Sequence, residues 1–210
     1  MIVAIDGPAG AGKSTVARAL AERLHFRYLD TGAMYRALTW LAMQRSIDLS
    51  DAGALAELAR SEPVVFDDEG RVWIAATDVT SSIRDQRIDR MVPVVARHSG
   101  VREVMRERQR ELGRDGDVVI EGRDIGTVVA PDAAVKVYLV ADREERARRR
   151  MADRPGIGAD ALATDLRLRD EKDAERMKPA DDAREIDTTG LKVEDVVERI
   201  ELLVRERTAA

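Results

Sequence analysis

A glycine-rich octapeptide, Gly7–Ser14, constrains this chain more than any other feature of its sequence. It reads Gly-Pro-Ala-Gly-Ala-Gly-Lys-Ser and matches the pattern G-x-x-x-x-G-K-[ST]. A β-branched apolar run at residues 1–6 precedes it, and Val16, Leu20 and Leu24 follow it at four-residue spacing. A strand, a glycine-rich turn and an amphipathic helix in this order predict a unit whose loop binds an anion.

Each residue type in this loop has a chemical task. Glycines let the backbone curl so that its N–H groups point at a phosphate, and the following helix adds the positive end of its dipole. We expect Lys13 to reach the β- and γ-phosphates of a nucleoside triphosphate and the Ser14 hydroxyl to contact Mg²⁺. The residues expected to bind the triphosphate are Gly7, Pro8, Ala9, Gly10, Ala11, Gly12, Lys13, Ser14 and Thr15.

Strands and helices alternate along most of the chain. Residues 118–120 and, apart from Lys136, residues 135–140 are apolar runs, which is typical of buried parallel strands, and helical segments separate the predicted strands. This alternation predicts an α/β fold of three layers with a parallel central sheet. A length of 210 residues suits one domain.

One region departs from the alternation. Segments 63–66 and 71–75 flank the turn sequence Asp-Asp-Glu-Gly and predict a β-hairpin. The stretch 84–112 is largely helical, and we expect breaks at Pro93 and near Gly100. The sequence therefore predicts an inserted subdomain within the single domain.

Composition excludes several kinds of protein. The chain has no cysteine and two histidines, which excludes disulfides, thiol catalysis and a histidine-rich metal site. No apolar run approaches the ~20 residues of a membrane span, and the start lacks a signal-peptide pattern, so we expect a cytoplasmic protein without a membrane partner. A net charge of −5 and seven aromatic residues argue against nucleic-acid binding.

Charged residues follow two of the predicted strands. Asp30 comes after a short predicted strand at 26–29, and Glu121 directly follows residues 118–120. Ligands of open α/β sheets lie beyond the carboxyl ends of the strands. Asp30 and Glu121 are therefore candidates to hold the water shell of Mg²⁺, and Arg36 and Arg123 are candidates to bind an acceptor phosphate. Surface ion pairs among these residues are the alternative interpretation.

A very basic helix is predicted from residue 142 to residue 153. It could be a solvated face paired with Glu144 and Glu145, or part of a mobile lid, residues 143–160, whose arginines close over the triphosphate. Residues 154–158 would be the flexible tip of this lid. Arg146 and Arg150 lie one turn apart on one face and are favoured over the other candidates, Arg148 and Arg149.

A second helical face carries Arg169, Asp173 and Arg176 at positions i, i+4 and i+7. An aspartate between two arginines is either a structural ladder of ion pairs or a carboxylate held ready for sugar hydroxyls. The residues alone leave both interpretations open.

Together these motifs resemble the bacterial cytidylate kinases, a family of P-loop nucleoside-monophosphate kinases, over essentially the whole chain. The specific blocks are Thr-Gly-Ala-Met-Tyr-Arg at 31–36 and Glu-Gly-Arg-Asp-Ile-Gly-Thr-Val-Val at 121–129. The P-loop alone would not separate this family from adenylate, thymidylate or shikimate kinases. Further matches lie at 5–14, 29–30, 78–80, 83–84, 101–102, 109–110, 131–133, 169–176 and 187–191.

The resemblance implies an enzyme that phosphorylates CMP and dCMP with ATP and Mg²⁺, acts as a monomer, and has a CMP-binding subdomain at about residues 61–92. The residues expected to carry the transfer are Lys13, Arg36, Arg123, Arg146 and Arg150. The acceptor residues implied are Thr31, Arg36, Arg102, Arg123, Asp124, Arg169, Asp173 and Arg176. An Asp124 carboxylate accepting from the cytosine N4 amino group, beside Arg102 donating to N3 and O2, would disfavour uracil.

Two departures from the family pattern bear on the base. Pro93 stands where the family usually has a serine that touches cytosine, and residues 177–183 form a shorter loop than is usual. Three alternatives remain: another P-loop kinase acting on UMP and CMP or on a small metabolite, a regulatory switch that binds nucleoside triphosphates, and a nucleic-acid binder that uses the basic helix. The absence of an N-K-x-D sequence argues against the switch.

Overall fold

The computed structural model describes residues 1–67, 69–153, 158–174 and 177–209. These residues divide into two compact units, one made of Met1–Leu29 with Asp115–Ala210 and the other of Asp30–Arg114. No helix in the described part of the chain is long and apolar enough to span a membrane.

The secondary structure elements alternate much as the sequence predicts. In chain order they are β1 (Ile2–Asp6), α1 (Lys13–Leu24), β2 (Arg27–Asp30), α2 (Thr31–Gln44), α3 (Ala52–Ser61), β3 (Val65–Phe66), β4 (Val72–Ile74), β5 (Thr77–Asp78), α4 (Gln86–Ala96), α5 (Ser99–Arg114), β6 (Val118–Glu121), β7 (Val135–Val140), α6 (Arg143–Asp153), α7 (Ala159–Asp173), β8 (Arg184–Asp187) and α8 (Val193–Thr208). Single turns of other helix types occupy Ser82–Arg84 and Ile125–Val129.

The first unit is built on a five-stranded sheet in the order β2-β6-β1-β7-β8. Strand β1 pairs in parallel with β6 and β7, and β7 pairs in parallel with β8, which confirms the predicted parallel sheet. In this register Ile5 lies opposite Glu121. The carboxyl ends of β1 and β6 therefore meet at one edge of the sheet, where the glycine-rich loop begins.

Helices α1 and α8 pack against one another in the first unit. Leu20 and Ile200 are fully buried in a core cluster shared with Ile5 of the sheet. Glu201 of α8 is 7 % exposed, and its carboxylate lies 2.6 Å from Arg23 of α1 and 2.6 Å from Arg205. The helix that starts at the glycine-rich loop is thus anchored by apolar packing and by a shared carboxylate.

The second unit contains α2 to α5 and a small antiparallel sheet in the order β3-β4-β5. The predicted hairpin is confirmed as β3 and β4. The third strand, β5, was not predicted, because the turn before it uses Ala75 and Ala76 at φ of 48° and 56° rather than the glycine or asparagine that signals such a turn.

The predicted helix break at Pro93 is wrong. Helix α4 continues through Pro93 to Ala96, and the chain breaks only before α5 begins at Ser99. Proline removes one amide hydrogen bond and crowds the preceding turn. Ile88 and Val95, one on each side of Pro93, are both buried, and this apolar packing stabilises the helix against that cost.

Asp67 organises the turn between β3 and β4. Its Oδ1 accepts from the backbone amides of Glu69 and Arg71 at 3.1 and 2.8 Å, and its Oδ2 accepts from Trp73 Nε1 at 2.9 Å and Arg71 Nε at 2.7 Å. Desolvation favours the neutral carboxyl group, but the hydrogen bonds from Trp73 and Arg71 outweigh it. They lower the pKa of Asp67 to about 2.

We expect Asp67 to stay ionised at pH values where an ordinary aspartate is protonated. At about pH 3, a carboxyl with a pKa of about 2 is about 90 % ionised, whereas one with the ordinary value is about 15 % ionised. Because the folded pKa is lowered, the stability contributed by this turn is complete above about pH 5 and is lost as the pH falls towards 2. The indole N–H resonance of Trp73, followed by NMR from neutral pH to about pH 3, measures this directly.

The indole resonance of Trp40 is the internal control, since Trp40 has no carboxylate partner in the described residues. A Trp73 resonance that titrates with a midpoint near 3.8, the ordinary value for aspartate, would contradict the assigned hydrogen bonds.

Candidate functional site

The glycine-rich segment forms a tight loop between β1 and α1. A Cβ atom built on Gly7, which has φ of 141°, would lie 2.1 Å from the carbonyl oxygen of Leu139, so no side chain fits there. Gly12 precedes the first turn of α1 at φ of 89°, in the left-handed region that favours glycine. The loop therefore delivers the chain to the positive end of a 12-residue helix.

Five consecutive carbonyl oxygens of this loop lie within hydrogen-bonding distance of a side-chain donor. The donors are Arg123 to Gly7 (2.8 Å), Lys13 to Pro8 (2.9 Å), Arg146 to Ala9 (3.1 Å), Arg149 to Gly10 (3.5 Å) and Thr188 to Ala11 (3.1 Å). A carbonyl and the N–H of the next residue share one peptide plane and point in opposite directions. Donors that hold the carbonyls therefore direct the following N–H groups to the other side, where an anion would bind.

Arg146 connects this loop to α7. Its side chain is 8 % exposed, and both terminal nitrogens bind the Asp170 carboxylate, at 3.1 and 2.7 Å, while Nη1 also donates to the Ala9 carbonyl. Its Nε is buried without an acceptor among the described residues. A guanidinium held in this two-pronged way is fixed in position, which lysine could not achieve.

The neighbouring arginines of α6 divide between the loop and solvent. Arg149 donates to the Thr188 carbonyl at 2.7 Å and to the Thr188 hydroxyl at 3.0 Å, beside its contact with the loop. Arg148 is 72 % exposed and pairs with Glu145. The hydrogen bonds from Arg148 and Arg149 lower the pKa of Glu145 to about 2.

The arginines of α6 that the sequence weighed, Arg146, Arg148, Arg149 and Arg150, lie in different surroundings. Arg146 reaches the loop, and so does Arg149, which the sequence ranked lower, while Arg150 lies half-buried in α6. Arg148 lies on a solvated face. Which of them act in catalysis stays a prediction.

The segment after β6 lies directly against the start of the loop. Arg123 donates to the Gly7 carbonyl, and Asp6, the last residue of β1, accepts from the backbone amides of Ile125 and Gly126 at 2.9 and 2.8 Å. Burial raises the pKa of Asp6, and the two amide hydrogen bonds oppose this effect. Asp124 lies within this bonded segment, half-buried.

Glu121 and Ser14 occupy the expected edge of the first unit. Glu121 is 4 % exposed and accepts a hydrogen bond from the Tyr28 hydroxyl at 2.6 Å. Ser14 and Thr15 are exposed in the first turn of α1. Their hydroxyl groups are thus open to a ligand at the helix N-terminus.

The second unit holds the remaining described candidates. The Asp30 carboxylate caps α2 by accepting from the Ala33 amide at 2.8 Å, and its other oxygen pairs with Arg36 at 2.8 Å. Thr31, the first residue of α2, is buried, and Arg102 lies half-buried in α5. Asp30 and Arg36 thus form the ion pair of the alternative interpretation, and their roles towards ligands stay predictions.

Some candidates lie outside the described part of the chain. Arg169 and Asp173 belong to α7, but their side chains are not among those described, and neither is Arg176. The predicted lid tip, 154–158, likewise lies outside it except for its last residue.

Sequence reasoning missed Asp6 and Asp170, whereas the family resemblance points to the loop at Thr188 and Thr189 as the place of the adenine base. Asp6 carried a usable signal, because it stands at the carboxyl end of a predicted strand, as Asp30 and Glu121 do. The contact of Asp170 with Arg146 joins residues 24 positions apart, and no local pattern announces it.

Solved structures place the fold in a known class. The chain resembles shikimate kinase from Bacteroides thetaiotaomicron with a TM-score of 0.53 at 18 % identity, covering 98 % of each chain. A gluconokinase from Sinorhizobium meliloti gives a TM-score of 0.51 at 15 % identity, covering 99 % of this chain and 93 % of the other. The fold, with its glycine-rich loop, is that of the P-loop kinases.

Sequence comparison then narrows the class. The family described as cytidylate kinase matches residues 3–206. A cytidylate kinase of Bacillus licheniformis is 44 % identical over 219 residues, covering 99 % of this chain and 97 % of that protein. One from Geobacillus sp. strain WCH70 is 47 % identical, with coverages of 98 % and 96 %. The chain belongs to the cytidylate kinase family.

Proposed function

We propose that this protein transfers the γ-phosphoryl group of ATP to CMP and to dCMP, giving CDP and dCDP in pyrimidine nucleotide metabolism. The observation that carries the proposal is the set of donors on the P-loop carbonyls, four of them cationic, in a member of the cytidylate kinase family. Phosphoryl transfer needs little covalent participation by the protein. Positioning and neutralisation of charge are sufficient.

The donor nucleotide is held by Lys13, by the P-loop amides and by the first turn of α1. Bound Mg²⁺ would neutralise charge on the phosphates, and an ion that arrives with the nucleotide keeps several waters and needs few protein ligands. The exposed Ser14 hydroxyl suits a direct ligand, with Asp30 and Glu121 acting through water. The described residues contain no group of three or more histidine and acidic side chains placed to hold a metal ion, and such an ion does not need one.

The acceptor is recognised through its phosphate and its base. Arg36 and Arg123 hold the phosphate for in-line attack. The Asp124 carboxylate accepts from the cytosine N4 amino group and Arg102 donates to N3 and O2, whereas uracil would present a carbonyl oxygen to Asp124. The remaining acceptor residues are Thr31, Arg169, Asp173 and Arg176.

The proposal also covers the inserted segment and the lid. Residues 61–92 act as the CMP-binding subdomain, and residues 143–160, of which 154–157 lie outside the described part of the chain, act as a lid whose Arg146 and Arg150 neutralise the transferring group. We further propose a cytoplasmic monomer that binds neither nucleic acid nor membrane.

The test is release of ADP with Mg²⁺, ATP and one acceptor at a time: CMP, dCMP, UMP, AMP or shikimate. We expect turnover with CMP and dCMP and little with the others. Equal turnover of UMP would leave a kinase without the proposed base recognition, and no acceptor-dependent turnover would favour a regulatory switch.

Replacing Asp124 tests the base contact. Asp124→Ala should lower the preference for CMP over UMP about 100-fold, because the pocket loses the acceptor for the N4 amino group. The ratio of kcat/KM for the two acceptors measures it. Asp132→Ala is the control. It removes an exposed aspartate that follows Asp124 a short way along the sequence, and it should leave this ratio of kcat/KM values unchanged. A preserved ratio in Asp124→Ala would reject the assignment.

A further inference from the structure

The Asp6 carboxylate is buried and bonded on both oxygens, yet it has no assigned role. The residue is 6 % exposed at the end of β1. Its Oδ1 accepts from the Ile125 amide at 2.9 Å and its Oδ2 from the Gly126 amide at 2.8 Å. Each oxygen thus holds a different amide of the turn that follows Asp124.

Neighbours of Asp6 hold the same segment. The Ile5 carbonyl accepts from the Gly122 amide at 3.0 Å, and the Gly7 carbonyl accepts from Arg123 Nη1 at 2.8 Å. Ile5, Asp6 and Gly7 therefore fix residues 122–126 at four points. Because Gly7 begins the P-loop, this segment is tied to the loop itself.

Only an ionised carboxylate satisfies this arrangement. Two backbone N–H groups converge on Asp6, and both need an acceptor. An asparagine offers one carbonyl oxygen, so its NH₂ group would face the second N–H. Hydrogen bonds to a charged acceptor are also roughly twice as strong as those between neutral groups. Burying a charge costs free energy unless hydrogen bonds satisfy it, and at Asp6 the two amide hydrogen bonds do so.

We propose that Asp6 is a positioning residue for phosphoryl transfer, which holds the segment carrying Arg123 and Asp124 in a fixed place against the P-loop. Asp6 touches neither substrate itself. The proposal rests on the proposed function of Arg123 and Asp124 in binding the acceptor. Displacement of reacting groups by about 1 Å lowers rates about 100-fold, so the fixed geometry has a kinetic consequence.

The experiment compares Asp6→Asn with the wild type. We expect kcat/KM for CMP to fall about 30-fold, through a raised KM for CMP and a lowered kcat, while the calorimetric affinity for ATP changes less than about threefold. The amide proton resonances of Ile125 and Gly126 should move upfield as their charged acceptor is lost.

Glu201→Gln is the matched control. Glu201 is also a buried carboxylate with two hydrogen-bonded partners, but it joins α1 to α8. Its replacement should lower thermal stability and leave the KM for CMP unchanged. An Asp6→Asn enzyme that behaves in the same way, losing stability with unaltered kinetics, would show a merely structural role and overturn the proposal.

Gly126→Ala is a second perturbation, decisive if Asp6→Asn does not fold. A Cβ built there would lie 3.2 Å from Lys136 Cδ, tighter than an ordinary contact, and 3.5 Å from Asp6 Oδ2, an ordinary contact, so Lys136 or the turn must shift by a few tenths of an ångström. The KM for CMP should rise together with movement of the Ile125 and Gly126 amide resonances, and an unchanged KM in a variant whose resonances have moved would contradict the proposal. A wild type without CMP-dependent ADP release would instead refute the proposed function, whereas an active wild type with unaltered variants refutes only the role of Asp6.

Discussion

Replacing Lys13 by methionine should lower kcat about 1,000-fold. Its ammonium group lies 2.9 Å from the Pro8 carbonyl, within the loop expected to hold the triphosphate. Methionine keeps an unbranched side chain, one atom shorter, but removes the charge that would neutralise the transferring phosphoryl group. Loss of a single preorganised hydrogen-bond donor lowers kcat about 100- to 1,000-fold. Because Lys13 also carries a full positive charge, we expect a loss of kcat at the upper end of this range. Coupled measurement of ADP release with CMP gives the rate.

Lys13→Arg separates charge from geometry. The planar guanidinium keeps the charge but cannot occupy the place of a compact ammonium group, so only a small part of the rate should return. Thermal unfolding of both variants should remain close to that of the wild type. A Lys13→Met enzyme within about threefold of the wild type would contradict the assignment of the loop.

Arg146→Ala should lower kcat about 100-fold and the free energy of unfolding by about 1–3 kcal/mol. The change removes the donor to the Ala9 carbonyl and leaves the Asp170 carboxylate without its two-pronged partner. Asp170 is 27 % exposed and gains water in its place, which moderates the loss of stability. The loss of kcat exceeds what unfolding explains, because the P-loop loses one of its side-chain donors and the site loses a cation.

Arg148→Ala on the same helix provides the control. Arg148 is 72 % exposed and pairs only with Glu145 among the described residues, so both kcat and stability should stay unchanged. Steady-state kinetics measures the change in kcat, and urea unfolding measures the change in the free energy of unfolding. Both are measured well below the transition temperature, so that the two changes can be separated. Equal kinetics for the Arg146 and Arg148 variants would show that contact with the loop has no part in catalysis.

The parts of the fold that depend on local pattern were predictable. Residues 118–120 and, apart from Lys136, residues 135–140 are apolar because both faces of their strands are covered, and such runs can be recognised without a structure. The Gly7–Ser14 loop was likewise evident, because backbone conformation there demands glycine. Pro93 was misjudged because a local rule was outweighed by the burial of Ile88 and Val95, which depends on the tertiary fold.

The candidate site was only partly predictable. Residue type marked Lys13, Arg123 and Arg146 as cations for phosphate, since few other tasks suit them near such a loop. Their actual partners in the structure are the carbonyl oxygens of the loop, and these contacts join residues up to 137 positions apart. Helical spacing favoured Arg150 over Arg149, yet Arg149 also reaches the loop, because such contacts depend on how α6 packs and sequence spacing does not determine that packing.

The most direct test of the central claim is ³¹P NMR of a reaction containing ATP, Mg²⁺ and CMP. The account predicts that the β-phosphate resonance of CDP grows in step with ADP, while UMP in place of CMP gives little product. Release of inorganic phosphate without CDP, at a rate that CMP does not change, would contradict the claim that this protein is a kinase of cytidine monophosphates.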